Sequence, residues 1–265
     1  MGWEPGSLAP MLRALAGGAL FGEVWGPSPA QVLVLHGWRR SHGDFSAVVG
    51  PDSAAGPLGS WAPDLPGFGS SPAPSSVWGS PEYAGALVPL LEEGGGSPEP
   101  VVVLGHSLGG RVALSLAAAR PDLVRALVLT GAPVGPRTDS SGRRPPPGYR
   151  LVRALHRRGL LSEARMERGR QRHGSADYRA AEGVMREVLV RLVNERYEES
   201  LAAIRCPVEL VWGDDDAEVP VAAARALAAA LPGATLTLCP GAGHLTPLTA
   251  PAELRAAVER ALARS

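Results

Sequence analysis

Lysine is absent from this chain: all 26 basic residues are arginine. Schiff-base chemistry and a lysine nucleophile are thereby excluded, and a GC-rich genome accounts for the bias itself. Net charge is lacking as well, because 26 acidic residues balance the arginines and the isoelectric point falls near 7.0. A chain so balanced is not a polyanion binder, and nucleic acid is not an expected partner. Cysteine is confined to Cys206 and Cys239, too few for a disulfide framework and without metal-ligand spacing. The strands assigned below put the two at opposite ends of a parallel pair, so they are not expected to bond. The six histidines are His36, His42, His106, His156, His173 and His244, and they form no H-x-x-x-H or related signature. No metal or other cofactor is implied. Long apolar runs are missing too: Met11 to Trp25 is interrupted by Arg13 and Glu23 and follows little positive charge, which fits neither a signal peptide nor a membrane span. A cytoplasmic location is the default expectation, and no internal repeat is present.

What remains is an ordinary composition, 45% hydrophobic and 20% charged over 265 residues, enough for one α/β domain with an insertion. Its most informative stretch is Val101-Val102-Val103-Leu104 running into Gly105-His106-Ser107-Leu108-Gly109-Gly110-Arg111, followed at once by the alanine- and leucine-rich Val112 to Ala119. That is a strand, a sharp turn and a helix. Glycines on either side let the turn close without Cβ clashes, so Ser107 can take a strained backbone and point its hydroxyl beyond the strand's carboxyl end. With 33 glycines in the chain, G-x-S-x-G would arise by chance about 0.3 times. The strand before it and the helix after it supply the context that a nucleophile elbow requires.

Other segments fall around this one. Leu12 to Ala16 and Ala19 to Trp25, separated by Gly17-Gly18, predict a hairpin at a sheet edge. Gln31 to Leu35 is a buried-type strand ending in His36-Gly37-Trp38, and Ser60 to Asp64 is a short strand with a proline- and glycine-rich exit. Pro81 to Glu93 has helical periodicity. Arg125 to Thr130, Pro207 to Trp212 and Ala234 to Leu238 are further strands, alternating with helices at Val221 to Leu231 and Ala252 to Arg264. The alternation predicts a mostly parallel sheet with helices on both faces. It stops between Val134 and Ala203, a gap far beyond the usual loop of about 15 residues. Residues 134–203 are therefore expected to form a helical lid inserted into a core of residues 1–133 and 204–265. Within it, Pro136 to Gly148 is polar and proline-rich, while Tyr149 to Gly159 and Ala180 to Ser200 read as helices.

A serine hydroxyl needs a histidine to take its proton, and that histidine needs an acceptor to fix its tautomer. Candidates for both stand at the carboxyl ends of predicted strands, in the chain order nucleophile, acid, histidine. Five blocks in order, His36-Gly37-Trp38, Asp64-Leu65-Pro66-Gly67-Phe68-Gly69, Gly105 to Gly110, Gly213-x-x-Asp216-x-x-x-Pro220 and Gly243-His244, resemble the α/β-hydrolase superfamily over nearly the whole chain. The resemblance implies Ser107 as nucleophile, Asp216 as acid and His244 as base, with the backbone amides of Trp38 and Leu108 as the oxyanion hole. Asp214, Asp215 and Glu218 crowd the same acid loop, and the spacing to Pro220 favours Asp216 over them. Trp38 is expected to wall the pocket. Arg111, one helical turn beyond Ser107, either braces the end of the sheet or reaches a substrate carboxylate. His36 and His106 read as structural, and His42, His156 and His173 as surface residues without an evident partner.

The activity implied is that of a serine hydrolase of the carboxylesterase type, cleaving a small or medium ester or thioester. His36-Gly37-Trp38 is similar to the block of carboxylesterases related to the pimeloyl-carrier methyl ester esterase, but so short a string carries no substrate with it. A lyase of the menaquinone-pathway type, similar in Gly110-Arg111, a carbon–carbon bond hydrolase and a slow-turnover ligand receptor use the same triad and stay open as alternatives. Residues 134–203 hold fifteen arginines against nine acids, which points to an anionic substrate or an acidic carrier protein, with i,i+4 pairing on solvated helix faces as the alternative. Reversing Arg153, Arg157 and Arg158 together to glutamate is expected to raise KM for an anionic ester. Steady-state kinetics unchanged by that triple substitution would dispose of the anionic reading.

Overall fold

A computed structural model describes residues 11–93, 99–134, 155–156, 158–173, 176–231 and 233–264. Their strands are β1 (Arg13–Leu15), β2 (Leu20–Trp25), β3 (Val32–Leu35), β4 (Ser60–Asp64), β5 (Val101–His106), β6 (Val124–Thr130), β7 (Val208–Gly213) and β8 (Thr235–Cys239). They form one sheet in the order β1-β2-β4-β3-β5-β6-β7-β8. The β1–β2 hairpin turns through Gly17 and Gly18, both at positive φ, and β2 pairs antiparallel with β4. Every pairing from β4 through to β8 is parallel. The expected edge hairpin and mostly parallel sheet are thus both present.

The uninterrupted apolar strands have a physical cause in the two layers that cover them. Alternate residues Leu33, Leu35, Val103, Leu127, Leu129 and Leu210 pack on one face with Tyr83 and Leu87 of α2 (Ser80–Glu93) and Leu114 of α3 (Leu108–Ala119). Their neighbours Val32, Val34, Val102, Leu104, Val128 and Val211 pack on the other with Val48 of α1 (Ser46–Val49) and Leu254 and Val258 of α10 (Pro251–Ala263). With both faces dry, neither set can be polar. Each buried leucine or valine contributes about 1.5–3 kcal/mol. The order reverses around β3, where the chain passes to β4 on one side and β5 on the other, so loops at the carboxyl ends diverge there and leave a crevice. Cys206 precedes the amino end of β7 while Cys239 lies opposite Gly213 at its carboxyl end, and both are free.

Between β6 and β7 the described residues form α4 (Glu163–His173), α5 (Ala176–Ala180), α6 (Gly183–Asn194) and α7 (Glu198–Ala203). The single helix expected over Ala180 to Ser200 is broken, because Glu195 turns to extended backbone with ψ 153°. Its carboxylate accepts hydrogen bonds from the Ser80 amide at 2.8 Å, the Ser80 hydroxyl at 2.6 Å and the Tyr197 hydroxyl at 2.5 Å. These bonds to the start of α2 are made only when the helix stops. Helix α4 escaped the periodicity because it buries one apolar side chain, Met166. Most of the helix expected over Tyr149 to Gly159, the stretch before it, and Arg153 and Arg157 lie outside the described residues. Met185 of α6 seats against Gly67, where a Cβ would collide with its thioether, so α6 covers the loop that leaves β4. Helices α8 (Val221–Ala230) and α9 (Thr246–Thr249) complete the set, and among the described residues no helix is long and apolar enough to cross a membrane.

One expected surface residue is in fact enclosed. The side chain of His42 is 16% exposed and lies between Asp64, 2.8 Å from Nδ1, and Glu23, 3.6 Å from Nε2. Its partners stand about twenty residues away on β2 and β4, beyond the reach of a local pattern. His156 also has a partner, the Leu161 carbonyl at 3.1 Å, while the side chain of His173 lies outside the described residues. The bond to Asp64 raises the His42 pKa above its ordinary value; burial opposes this, and the charges of Asp64 and Glu23 add to it. A raised folded pKa stabilises the fold fully below the unfolded value of about 6.5 and ceases to do so as pH rises through the folded one. His42→Gln is expected to lower the unfolding free energy by about 1 kcal/mol near pH 5.5, with a gap to wild type that narrows above pH 6.5. Urea unfolding across that range would show the trend, and a gap that widens contradicts it.

Candidate functional site

Ser107 sits between β5 and α3 with φ 51° and ψ −108°, a backbone that costs a non-glycine residue about 1–3 kcal/mol. Its surroundings hold it there. The Ser107 amide donates to the Thr130 carbonyl at 3.0 Å, Gly109 N–H donates to the His36 carbonyl at 3.0 Å, and the Gly110 and Arg111 amides close on the Ser107 carbonyl. The glycines serve close approach, as expected: a Cβ on Gly109 would run into the Leu35 carbonyl, one on Gly105 into the Gly109 backbone, and one on Gly110 into Ala132. Ser107 stays half-buried at the crevice.

From the loop after β8, His244 places Nδ1 2.9 Å from Asp216 Oδ2. The other Asp216 oxygen accepts from the Glu218 amide at 2.9 Å and the Val219 amide at 2.8 Å, so this 5%-exposed carboxylate is satisfied. Nδ1 is the donor in that geometry, which leaves the Nε2 lone pair to take a proton. Among the four acids of the loop, Asp216 is the one so placed. Asp214 accepts from the Gly241 amide at 2.7 Å and acts as a loop cap, Asp215 is exposed, and Glu218 lies on the opposite ring nitrogen, 3.6 Å from Nε2. Burial by itself would lower the His244 pKa, but the hydrogen bond and charge of Asp216, with Glu218, raise it.

Two features beside His244 had no clear signal in the sequence. His106 is buried and its Nε2–H donates to the His244 carbonyl at 2.9 Å, with the two rings 4.9 Å apart. Burial first, and then the charge of His244, push His106 down to about 4. Gly131, at φ 56°, makes room for the His244 ring, since a Cβ there would lie 2.9 Å from Cε1.

Trp38 and Leu108 each stand three residues beyond Leu35 and Gly105, which are paired across β3 and β5. Neither amide has a backbone acceptor among the described residues. The Trp38 ring packs edge-on against Phe68 at 4.8 Å, and its buried indole N–H has no partner among the described residues. His36 is structural, as expected: Nε2 accepts from the Leu65 amide at 2.9 Å. Of the two roles expected for Arg111, bracing or substrate contact, its polar contacts among the described residues are of the bracing kind. Its guanidinium donates to the Leu192 carbonyl and lies 5.7 Å over the Tyr197 ring. It braces the inserted helices against α3 instead of the end of the sheet. Among the described residues no group of three His, Cys, Asp or Glu side chains is placed to hold a metal ion.

The α/β hydrolase family model matches residues 32–257, from β3 into α10. This chain is an α/β hydrolase. Among the relatives of this α/β hydrolase is the pimeloyl-[acyl-carrier protein] methyl ester esterase of Aromatoleum aromaticum, 31% identical over 251 residues that cover 86% of this chain and 96% of that one. Lipase LipV of Mycobacterium tuberculosis is 37% identical over 194 residues, 69% of this chain and 68% of LipV. In fold it is similar to a thermophilic esterase from Thermogutta terrifontis, with TM-score 0.68 and 24% identity over 97% of this chain and 99% of that one.

The two facing histidines of this hydrolase have pKa values driven apart by their surroundings. In an NMR titration His244 is expected to titrate above 6.5 and to fall below it in Asp216→Asn, while His106 stays neutral down to pH 5 in both. A His244 midpoint unmoved by Asp216→Asn would break the assigned pairing.

Proposed function

We propose that this α/β hydrolase is a serine carboxylesterase that cleaves an ester or thioester through an acyl-enzyme on Ser107. The Asp216–His244 pair at 2.9 Å, on loops at the same carboxyl end of the parallel strands as the strained Ser107, is the observation that carries the reading. In the first step Ser107 Oγ attacks the carbonyl carbon as His244 Nε2 takes its proton, and Asp216 stabilises the imidazolium. The amides of Trp38 and Leu108 receive the developing oxyanion, aided by the positive end of the α3 dipole. Collapse expels the alcohol or thiol, which leaves with the proton from Nε2. Water then attacks the acyl carbon as Nε2 takes its proton, and collapse returns that proton to Ser107 Oγ as the carbon–Oγ bond breaks and the acid is released. The chemistry needs no cofactor.

Support for an ester substrate comes from the names of the relatives, an esterase and a lipase among them. Residues 134–203 serve in this reading as the lid that shapes the acyl or alcohol pocket, with α6 and Met185 over the loop after β4. Their excess of arginine suits an anionic acyl group or an acidic carrier protein, and a relative named for a carrier-bound methyl ester is consistent with the second. The lyase alternative loses its footing, because Arg111 of Gly110-Arg111 is engaged with Leu192 and Tyr197.

Turnover of p-nitrophenyl esters from acetyl to palmitoyl, with Ser107→Ala alongside, tests the proposal. Wild type is expected to show a chain-length optimum, and the variant to lose at least about 10³-fold in kcat. An inert wild type would sink the esterase reading, and a variant that keeps its rate would remove Ser107 from the mechanism.

A further inference from the structure

The acid loop carries a second carboxylate that the triad does not use. Glu218 Oε2 stands 3.6 Å from His244 Nε2, and its side chain is 71% exposed. Its backbone amide is fixed on Asp216 Oδ1 at 2.9 Å, so the residue is held at the site whatever its side chain does. The same loop exposes Asp214 and Asp215, both acidic. Nε2 is the atom that must hand its proton to the departing oxygen or sulfur, and that transfer requires an approach of about 3 Å. Any leaving group therefore passes within about 6.5 Å of the Glu218 carboxylate, well inside the Debye length of about 8 Å at physiological ionic strength.

From this geometry we propose that Glu218 determines leaving-group specificity, favouring alcohols that carry a positive charge and rejecting those that carry a negative one. The proposal rests on the esterase reading and deepens it. It also divides the site by charge, because the acid loop disfavours an anion on the alcohol side.

The test compares three butyrate esters whose charge does not depend on pH: those of choline (cationic), 3,3-dimethylbutanol (neutral, of the same shape) and 3-hydroxypropanesulfonate (anionic). kcat/KM is measured for wild type, Glu218→Gln and Glu218→Ala at low and high salt. Glutamine keeps the size of the side chain and leaves the amide bond to Asp216 in place. In wild type the cationic ester is expected to exceed the anionic one by about tenfold relative to what shape alone gives, a preference reduced by high salt. Both variants are expected to lose about fivefold or more of that ratio. A ratio that moves by less than twofold in either variant, with the neutral ester still turned over, overturns the proposal and leaves the esterase reading standing. A wild type inert toward all three esters overturns both.

Discussion

The closest approach in the sheet, the first turn of α3 against the end of β3, is the constraint on which the site depends. Gly109 lies so near the Leu35 carbonyl that no side chain fits between them, and its amide is bonded to the His36 carbonyl. A helix started that close to its neighbouring strand leaves the preceding residue no relaxed conformation, which is why Ser107 takes a positive φ. The strain of about 1–3 kcal/mol is offset by hydrogen bonds on both sides of the turn and by the buried side of α3.

Much of this was legible in the residues, for a reason that also explains what was not. Strands β3 and β5 read as unbroken apolar runs because both their faces are dry, and G-x-S-x-G followed by a helix leaves few other local structures. Asp216 could be chosen among four acids by its spacing to Pro220. Periodicity reports which face of an element is buried; it does not report which polar atom a side chain meets. The break at Glu195 is caused by Ser80, more than a hundred residues earlier, and the enclosure of His42 by Glu23 and Asp64 is likewise made by the sheet. Arg111 was placed correctly on its helix, but its direction depends on Leu192 and Tyr197, which only the folded insertion brings near.

His106 and His244 show how the site tolerates two imidazoles 4.9 Å apart. If both were free to protonate, the charge that His244 must carry would be opposed by its neighbour. Burial removes the difficulty by holding His106 neutral, down to about 4, while Asp216 favours the charged form of His244. Pairs of titratable groups separated in this way mark acid–base sites. A neutral His106 has a further use, since its Nε2–H is committed to the His244 carbonyl and so fixes the main chain beneath the His244 ring.

Helix α3 joins the chemistry to whatever selects the substrate. Its first residue follows Ser107 directly, and its fourth, Arg111, reaches up to the end of α6 and to Tyr197. Tyr197 and Glu195 continue to Ser80 at the start of α2, so the inserted helices are tied to both α2 and α3. A displacement of α6 that broke the Arg111 contact would leave a partly buried guanidinium without that acceptor, a costly state. The helices that carry Leu192 and Tyr197 are for that reason held as part of the core's framework at this end.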